Sequence, residues 1–192
     1  MRLNTKDMLH IALFASLTSI GAFIKIETPL VPITLQFAFC AYAGLILGAK
    51  KGMASQAFYV IIGLIGFPVF ARGGGPFYIF EPTFGYLLGF IVAAYVIGKM
   101  TETLKDYKIK MAFLKMGAAV SIGLLIVYTT GVIYLYGILN LHLGSPINIK
   151  GALLVGVAPF ILGDVILSAL VILTAKRVMP TIDRYVYKPS PA

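Results

Sequence analysis

The feature that most constrains the fold of this sequence is an apolar run of 25 residues, from Gly151 to Ala175, with one ionisable side chain, Asp164. A helix of about 20 apolar residues crosses the hydrocarbon core of a bilayer. Counting about 1.5 Å per residue along an unbroken helix, we expect Asp164 near the bilayer midplane. A carboxylate there costs roughly 2.5 to 3.5 kcal/mol on insertion scales, so by default it marks a substrate or ion contact. The alternative is a packing carboxylate that is hydrogen-bonded to a neighbouring Ser, Thr or Tyr.

The composition extends this interpretation to the whole chain, because hydrophobic residues make up 59% of it and charged residues only 12%. Such a balance is typical of membrane proteins. Six apolar segments are present, approximately residues 8–24, 35–49, 52–70, 83–98, 116–141 and 151–175. We therefore predict an all-α integral membrane protein, with residues 1–192 forming a single domain, a compact bundle of six transmembrane helices. The second and fourth segments are short for a core of about 30 Å, so either they cross locally thinned lipid or part of the adjoining loop is buried.

Basic residues are distributed unevenly between the connections of these segments. The N-terminus, residues 50–51, the stretch 99–115 and the tail 176–188 hold 13 of the 16 Lys and Arg residues. The other three connections hold one each, Lys25, Arg72 and Lys150. The positive-inside rule then predicts a multi-pass protein of the cell membrane with both termini in the cytoplasm. The net charge of +9 requires no nucleic acid, since contact with anionic lipid of the bilayer accounts for it.

Two outer connections are too apolar to be simple solvated linkers. Residues 25–36 contain Pro29 and Pro32, which break helix and favour extended backbone. Residues 67–86 pack aromatic side chains around the triple glycine 73–75. Non-helical backbone at membrane depth is tolerated where it is buried or lines a cavity, so we predict extracellular loops that cap an outward-facing pocket. A triple glycine is also compatible with a flexible turn and nothing more.

Several chemistries are absent from the sequence. The single Cys40 excludes an internal disulfide, and His10 and His142 form no cluster with metal-ligand spacing, so we predict neither a metal nor a cofactor. One membrane carboxylate and two separated histidines supply no nucleophile and base, so we predict that the chain is not an enzyme. A phosphate loop is also missing, because residues 44–51 fail its spacing. Energy for transport would have to come from elsewhere.

A series of short motifs carries a family resemblance across nearly the whole chain. They are residues 32–36 (PITLQ), 43–48 (AGLILG), 66–70 (GFPVF), the glycine-rich stretch, 82–90 (PTFGYLLGF) and 159–164 (PFILGD). In this order and spacing the sequence resembles the BioY family, the biotin-binding S components of energy-coupling factor (ECF) vitamin transporters. The resemblance implies a membrane subunit that captures biotin from outside. It also implies a transmembrane T component and two cytoplasmic ATPases as partners.

The sequence also departs from the family pattern at three places. Many members read G-P-[ST]-G-G-Y where this chain has residues 81–86 (EPTFGY), and some follow that Tyr with Arg where Leu87 stands. Members commonly place Lys where this chain has Leu167. With these cations absent, the exact vitamin and the group that holds its carboxylate stay open. The alternatives are an S component for a related vitamin such as lipoate and a proton-coupled secondary carrier.

Biotin chemistry suggests a role for each polar candidate. Asp164 is suited to accept the two ureido N–H groups, and Gln36, Thr34 or Thr83 to bind the ureido carbonyl. Arg72 is our first choice for the ligand carboxylate, with Lys25 and Lys150 as alternatives. Aromatic rings in residues 70–86 enclose the ligand or simply pack. The predicted substrate-binding set is Asp164, Gln36, Thr34, Arg72, Tyr86, Thr83, Phe84, Glu81 and Tyr78, and the aromatic candidates outside it are Phe70 and Phe77.

The first segment carries two pairs of small residues spaced four apart, Ala12 with Ser16 and Ala15 with Ser19. Small faces of this kind allow two helices to approach closely. Such contacts are common within one membrane bundle, and that is one interpretation of these pairs. The resemblance favours the other, an interface with the T component.

Overall fold

The computed structural model describes the backbone of residues 4–102 and 109–186 and the side chains of residues 4–102 and 111–175. Six α-helices, a two-stranded hairpin and one 3-10 helix make up this part of the chain. The helices are α1 (Thr5–Phe23), α2 (Gln36–Ile65), α3 (Phe84–Thr101), α4 (Ile109–Leu141), α5 (Ile149–Gly156) and α6 (Ile161–Val186). The hairpin strands are β1 (Lys25–Ile26) and β2 (Ile33–Thr34), and the 3-10 helix is Pro76–Phe80.

The second and third predicted segments are two halves of one interrupted helix, α2. The break lies at Gly48, whose φ of 77° and ψ of −179° are not helical. A positive φ is strained for any residue with a Cβ, which is why glycine occupies this position. The predicted connection at residues 50–51 was therefore placed slightly late, since those residues already lie within the second half of α2.

The last predicted segment is wrong as a single helix, because the chain breaks between α5 and α6. Pro159 lies in the break, where its missing N–H and its ring oppose helix continuation. The axes of the two helices differ by 47°. Asp164 consequently lies in the first turn of α6 rather than in the middle of a continuous span. A depth counted along an unbroken helix does not apply to this residue.

The helices differ in their ability to cross a membrane alone. Among the described residues, α3 and the Met111–Leu141 part of α4 are each long and apolar enough to do so. The bent pair of Ile149–Gly156 and Ile161–Ala175 provides a third candidate if it forms one span. The remaining helices, α1 and the interrupted α2, do not meet this test by themselves.

The helices pack through small residues in their contact faces. α2 lies against α1 and α3, α3 lies against α4, and α6 contacts both α2 and α4. A Cβ at Gly98 of α3 would meet the backbone at Gly48 and Ala49, so glycine permits this close approach. Large apolar side chains such as Leu125, Ile133 and Leu162 are exposed on the outside of the bundle. Such an exposed apolar surface suits contact with lipid.

Two loops cover the end of the bundle where α1 and the second half of α2 end. The first loop (residues 24–35) contains the hairpin, with Lys25 paired to Thr34 and Ile26 paired to Ile33. The second loop (residues 66–83) contains the 3-10 helix. It is tied to α4 by a hydrogen bond from the Tyr134 hydroxyl to the Ile79 carbonyl. Both loops are folded segments that are joined to the bundle.

Candidate functional site

A cavity lies beneath the two loops and extends into the bundle. It encloses about 560 Å³ including its open mouth. Six of the nine predicted substrate-binding residues line it, namely Thr34, Gln36, Tyr78, Thr83, Tyr86 and Asp164. Most of the other lining residues carry no signal in the sequence, and they include Phe37, Phe90, Leu124, Val127, Tyr128 and Phe160. Most of the wall is thus apolar or aromatic, as is usual for small-molecule sites.

Asp164 and Tyr128 lie in the inner part of the cavity, which we call its floor and which Leu124 and Phe160 also line. The Tyr128 hydroxyl donates a hydrogen bond of 2.6 Å to Oδ2 of Asp164. This bond joins α4 to the first turn of α6, and only 9% of the Asp164 surface is exposed. A carboxylate near a helix N-terminus is also favoured by the helix dipole. Asp164 therefore both packs against a tyrosine and faces the cavity, so the two interpretations drawn from the sequence are compatible.

The positions of two tyrosines on α4 show that this floor lies well below the loops. Tyr134 is hydrogen-bonded to the second loop through Ile79. Tyr128 precedes it by six residues, which corresponds to about 9 Å along a helix. The Asp164 carboxylate, bonded to Tyr128, is therefore one to two helical turns deeper than the second loop.

Two hydrogen-bonded pairs supply polar groups nearer to the loops. Thr34 donates to Oε1 of Gln36 at 3.0 Å, and the Gln36 amide nitrogen donates to the Tyr59 hydroxyl at 2.7 Å. These bonds fix the orientation of the Gln36 amide while leaving one of its two N–H donors available. In the second loop, Thr83 donates to the Tyr78 hydroxyl at 3.0 Å. Burial raises the pKa of Tyr78, so its hydroxyl keeps its proton at neutral pH.

The cavity contains one charged side chain among its described lining residues, and it is the carboxylate of Asp164. Arg72 lies outside the lining. Its guanidinium donates to the carbonyls of Thr28 at 2.7 Å and Pro29 at 3.2 Å. It is also 3.9 Å from a Glu27 carboxylate oxygen and 3.8 Å from one of Glu81. Arg72 therefore joins the second loop to the first loop through Thr28, Pro29 and Glu27, and it contacts Glu81 within its own loop. The sequence did not indicate this role.

Lys25 is the cation most directly connected to the cavity wall. Its ammonium group donates to the carbonyl of Ala71, a lining residue, and forms an ion pair with Glu27. The hydrogen bond from Lys25 lowers the pKa of Glu27, and Arg72 contributes to the same shift. We call the opening between the two loops the mouth of the cavity. Two positive and two negative side chains surround it, Lys25, Arg72, Glu27 and Glu81.

The aromatic candidates of the second loop and of the first turn of α3 take different positions. Phe84 is absent from the lining and packs edge-on against Tyr134, with ring centroids 5.7 Å apart. Phe70 is buried between Tyr59 and Tyr78, and 80% of Phe77 is exposed. Tyr86 does line the cavity, and its hydroxyl donates to the Gly156 carbonyl at the end of α5 at 2.8 Å. For Phe70 and Phe84 the plain packing interpretation therefore applies.

The small residues of α1 divide between the inside and the outside of the bundle. Ala15 is buried in the core of this chain, whereas Ser16 is exposed. Ala12 and Ser19 are half-buried, and the hydroxyls of Ser16 and Ser19 donate to the carbonyls four residues earlier. Ala15 therefore serves packing within the chain, and the pair of Ala12 and Ser16 is the more accessible of the two.

The comparisons with known proteins agree with this architecture. The model of the BioY family matches residues 1–184. A probable biotin transporter BioY from Lysinibacillus sphaericus is 45% identical over 174 residues, which are 91% of this chain and 87% of that protein. The biotin transporter BioY from Thermotoga maritima is 36% identical over 90% of this chain and 96% of its own length.

A solved structure has the same fold. The S-component for biotin from an ECF-type ABC transporter superposes with a TM-score of 0.74 at 23% identity, covering 92% of this chain and 94% of that one. The prediction of an all-α membrane protein with six helices is thereby confirmed. The family and the apolar helices together indicate a multi-pass membrane protein. This chain belongs to the BioY family.

Proposed function

We propose that this chain is the biotin-binding S component of an ECF transporter and that it captures the vitamin from outside for ATP-driven uptake. Its relatives are named as biotin transporters, and the family supplies the first support for the proposal. The observation that carries it is the Asp164 carboxylate on the floor of a mostly apolar cavity. In this role the chain binds and carries a ligand and catalyses no reaction.

Biotin matches the cavity in the kind and order of its groups. Its ureido ring presents two N–H donors and one carbonyl, and an ionised carboxylate is the strongest acceptor for such donors. Asp164 accepts a ureido N–H in this arrangement, while Gln36, Thr34 or Thr83 binds the carbonyl. The thiophane ring and the valeryl chain lie against the apolar and aromatic wall, which includes Tyr86.

The biotin carboxylate then points towards the mouth. No Lys, Arg or His occurs among the described lining residues, so a carboxylate deep in the cavity would meet only the like charge of Asp164. At the mouth it comes within reach of Arg72, with Lys25 as the alternative. Tyr78 and Glu81 lie on the same loop as Arg72 and contribute to the shape of this opening.

The same cavity is less suited to lipoate. The dithiolane head of lipoate carries no N–H donor, so its binding would displace water from Asp164 without replacing the lost hydrogen bonds. A buried polar group without its hydrogen bonds costs about 1 to 3 kcal/mol of binding free energy, and a charged carboxylate costs more. This difference favours biotin as the ligand.

Transport by this proposal requires partners. The sequence contains no phosphate loop, so the energy is supplied by two cytoplasmic ATPases through a transmembrane T component. The exposed side of α1 around Ala12 and Ser16 is proposed to meet the T component, with Ala15 and Ser19 supporting that face from within the chain. Both termini are proposed to be cytoplasmic, because 13 of 16 basic residues lie in the corresponding connections.

The proposal is tested by binding of radiolabelled biotin to the purified chain in detergent, where no proton gradient exists. We expect saturable binding that unlabelled biotin abolishes and that lipoate at the same concentration leaves intact. The chain alone in liposomes is expected not to accumulate biotin when a proton gradient is imposed. Uphill uptake of biotin by the chain alone would show that it is a proton-coupled secondary carrier. Displacement of labelled biotin by lipoate would show that the cavity binds lipoate.

A further inference from the structure

The residue that bonds to Asp164 was not among the predicted site residues. We propose that Tyr128 is a positioning residue that sets the orientation of the Asp164 carboxylate and thereby makes the cavity selective for ligand heads that donate an N–H group to it. This inference rests on the proposed function, since it concerns the same site. It is carried by the 2.6 Å hydrogen bond and by the location of both side chains on the cavity floor.

The position of Asp164 explains why its side chain needs a partner. It lies in the first turn of α6, directly after the break that follows α5. Its own backbone N–H donates to the Phe160 carbonyl at 2.8 Å, so that turn fixes the backbone but not the carboxylate. The Tyr128 hydroxyl comes from a different helix, α4, and holds Oδ2 in one place. The carboxylate plane is thus fixed by a contact between helices.

The direction of this bond determines what the pair can recognise. The single hydroxyl proton of Tyr128 is donated to Asp164, so towards the cavity both groups offer only lone pairs. An ionised carboxylate has about four acceptor sites, and Tyr128 occupies one of them. The others remain for the ligand, which must therefore bring donors. A cyclic urea with two N–H groups meets this requirement, whereas a head that offers only acceptors does not.

The alternative is that Tyr128 only ties α4 to α6. The chain provides a matched control for that role in Tyr42 of α2, whose hydroxyl is hydrogen-bonded to Thr174 of α6. Tyr42 is not a lining residue of the cavity. Tyr42→Phe therefore deletes the same chemical group and also breaks a contact between helices, but it leaves Asp164 untouched.

The experiment is a double-mutant cycle measured by titration calorimetry on the purified chain. The variants are Tyr128→Phe, Asp164→Asn, their combination and Tyr42→Phe, and the probes are biotin and a biotin methylated at one ureido nitrogen. We expect Tyr128→Phe to weaken biotin binding roughly three- to tenfold, because a charge-assisted hydrogen bond is lost. In the Asp164→Asn background the same change should have an effect below twofold. Tyr42→Phe should leave biotin affinity unchanged.

The methylated probe separates positioning from general loosening. We expect Tyr128→Phe to reduce the preference for biotin over the methylated probe, because a carboxylate that is no longer held by Tyr128 discriminates less between a ureido N–H and an N-methyl group. Equal losses for both ligands, or an equal loss with and without Asp164, would overturn the inference.

If Tyr128→Phe does not fold, Asp164→Glu moves the carboxylate while keeping its charge and Tyr128, and it should show the same reduced preference. An unchanged preference in that variant would overturn the inference. Absence of biotin binding by the unmodified chain would remove the proposed function, and this inference with it. Binding by that chain without coupling in the cycle would remove the inference alone.

Discussion

The floor and the mouth of the cavity are built in opposite ways. The floor has one charge, Asp164, held by one hydrogen bond between two helices in apolar surroundings. The mouth has four charges on two loops, and they form several contacts with carboxylates and backbone carbonyls. A buried charged group interacts strongly with its partners, whereas exposed ion pairs contribute about 0 to 1 kcal/mol each. Recognition is therefore expected to depend on the floor and retention on the mouth.

The largest expected effect is an all-or-none difference in thiol labelling. The labelling experiment tests which side of the membrane the mouth faces. A cysteine in place of Arg72 or Lys150 should react with an impermeant thiol reagent added from outside, whereas one in place of Lys105 should not. Lys105 lies outside the described residues, so this arm of the test rests on the sequence alone. The native Cys40 is fully buried and should stay unlabelled. The reverse labelling pattern would place the mouth in the cytoplasm and end the proposal of capture from outside.

The next effect is a change on the floor. Asp164→Asn should weaken biotin binding at least tenfold while the protein still inserts and folds, because a charge-assisted hydrogen bond at a buried site contributes roughly 1.5 to 3 kcal/mol. Titration calorimetry gives the affinity, and thermal unfolding checks the fold. Affinity equal to that of the unmodified chain would remove Asp164 from the site and with it the contrast between floor and mouth.

A smaller effect is expected from the mouth. Arg72→Gln removes the charge that meets Glu27 and Glu81 and that is proposed to meet the biotin carboxylate. It also weakens the bonds to the Thr28 and Pro29 carbonyls, so the loops should open more often. We expect roughly two- to fivefold weaker binding, mainly through faster dissociation. The dissociation rate is measured by following the release of labelled biotin after dilution. Lys150→Gln is the control, because Lys150 takes no part in the contacts of Arg72. A loss as large as that of Asp164→Asn would show that the mouth takes part in recognition.

The smallest effect is the response of the mouth to pH. The pKa of Glu27 is lowered by Lys25, so the contribution of this ion pair is fully present above the ordinary carboxyl value of 4.5 and is lost as pH falls through the lowered pKa. Dissociation of biotin should therefore stay constant between pH 6 and 8. It should become slightly faster below about pH 4.5, and Glu27→Gln should remove the part due to this pair. A marked change near neutral pH would point to another titrating group.

The sequence by itself determined the class of the protein and the identity of its most informative side chain. Long apolar segments can satisfy their backbone in a membrane only as helices, so the all-α membrane class was readable without a structure, whereas the breaks within and between the helices were not. The cost of placing a carboxylate in such a segment made Asp164 prominent for the same reason. Six of the nine predicted substrate-binding residues line the cavity because motifs near helix ends converge beneath the two loops.

Only the tertiary structure decided which groups face one another. Tyr128 lies 36 residues from Asp164 in sequence, and nothing in its own segment distinguishes it from the other tyrosines of α4. From the sequence Arg72 is available to a ligand, but in the structure its guanidinium is hydrogen-bonded to two carbonyls of the first loop. The break at Pro159 moved Asp164 to the start of a helix. The break follows from a local feature, Pro159, whereas the partners of Asp164 and Arg72 depend on contacts between distant segments. Local sequence patterns carry information only about neighbours along one helix or loop.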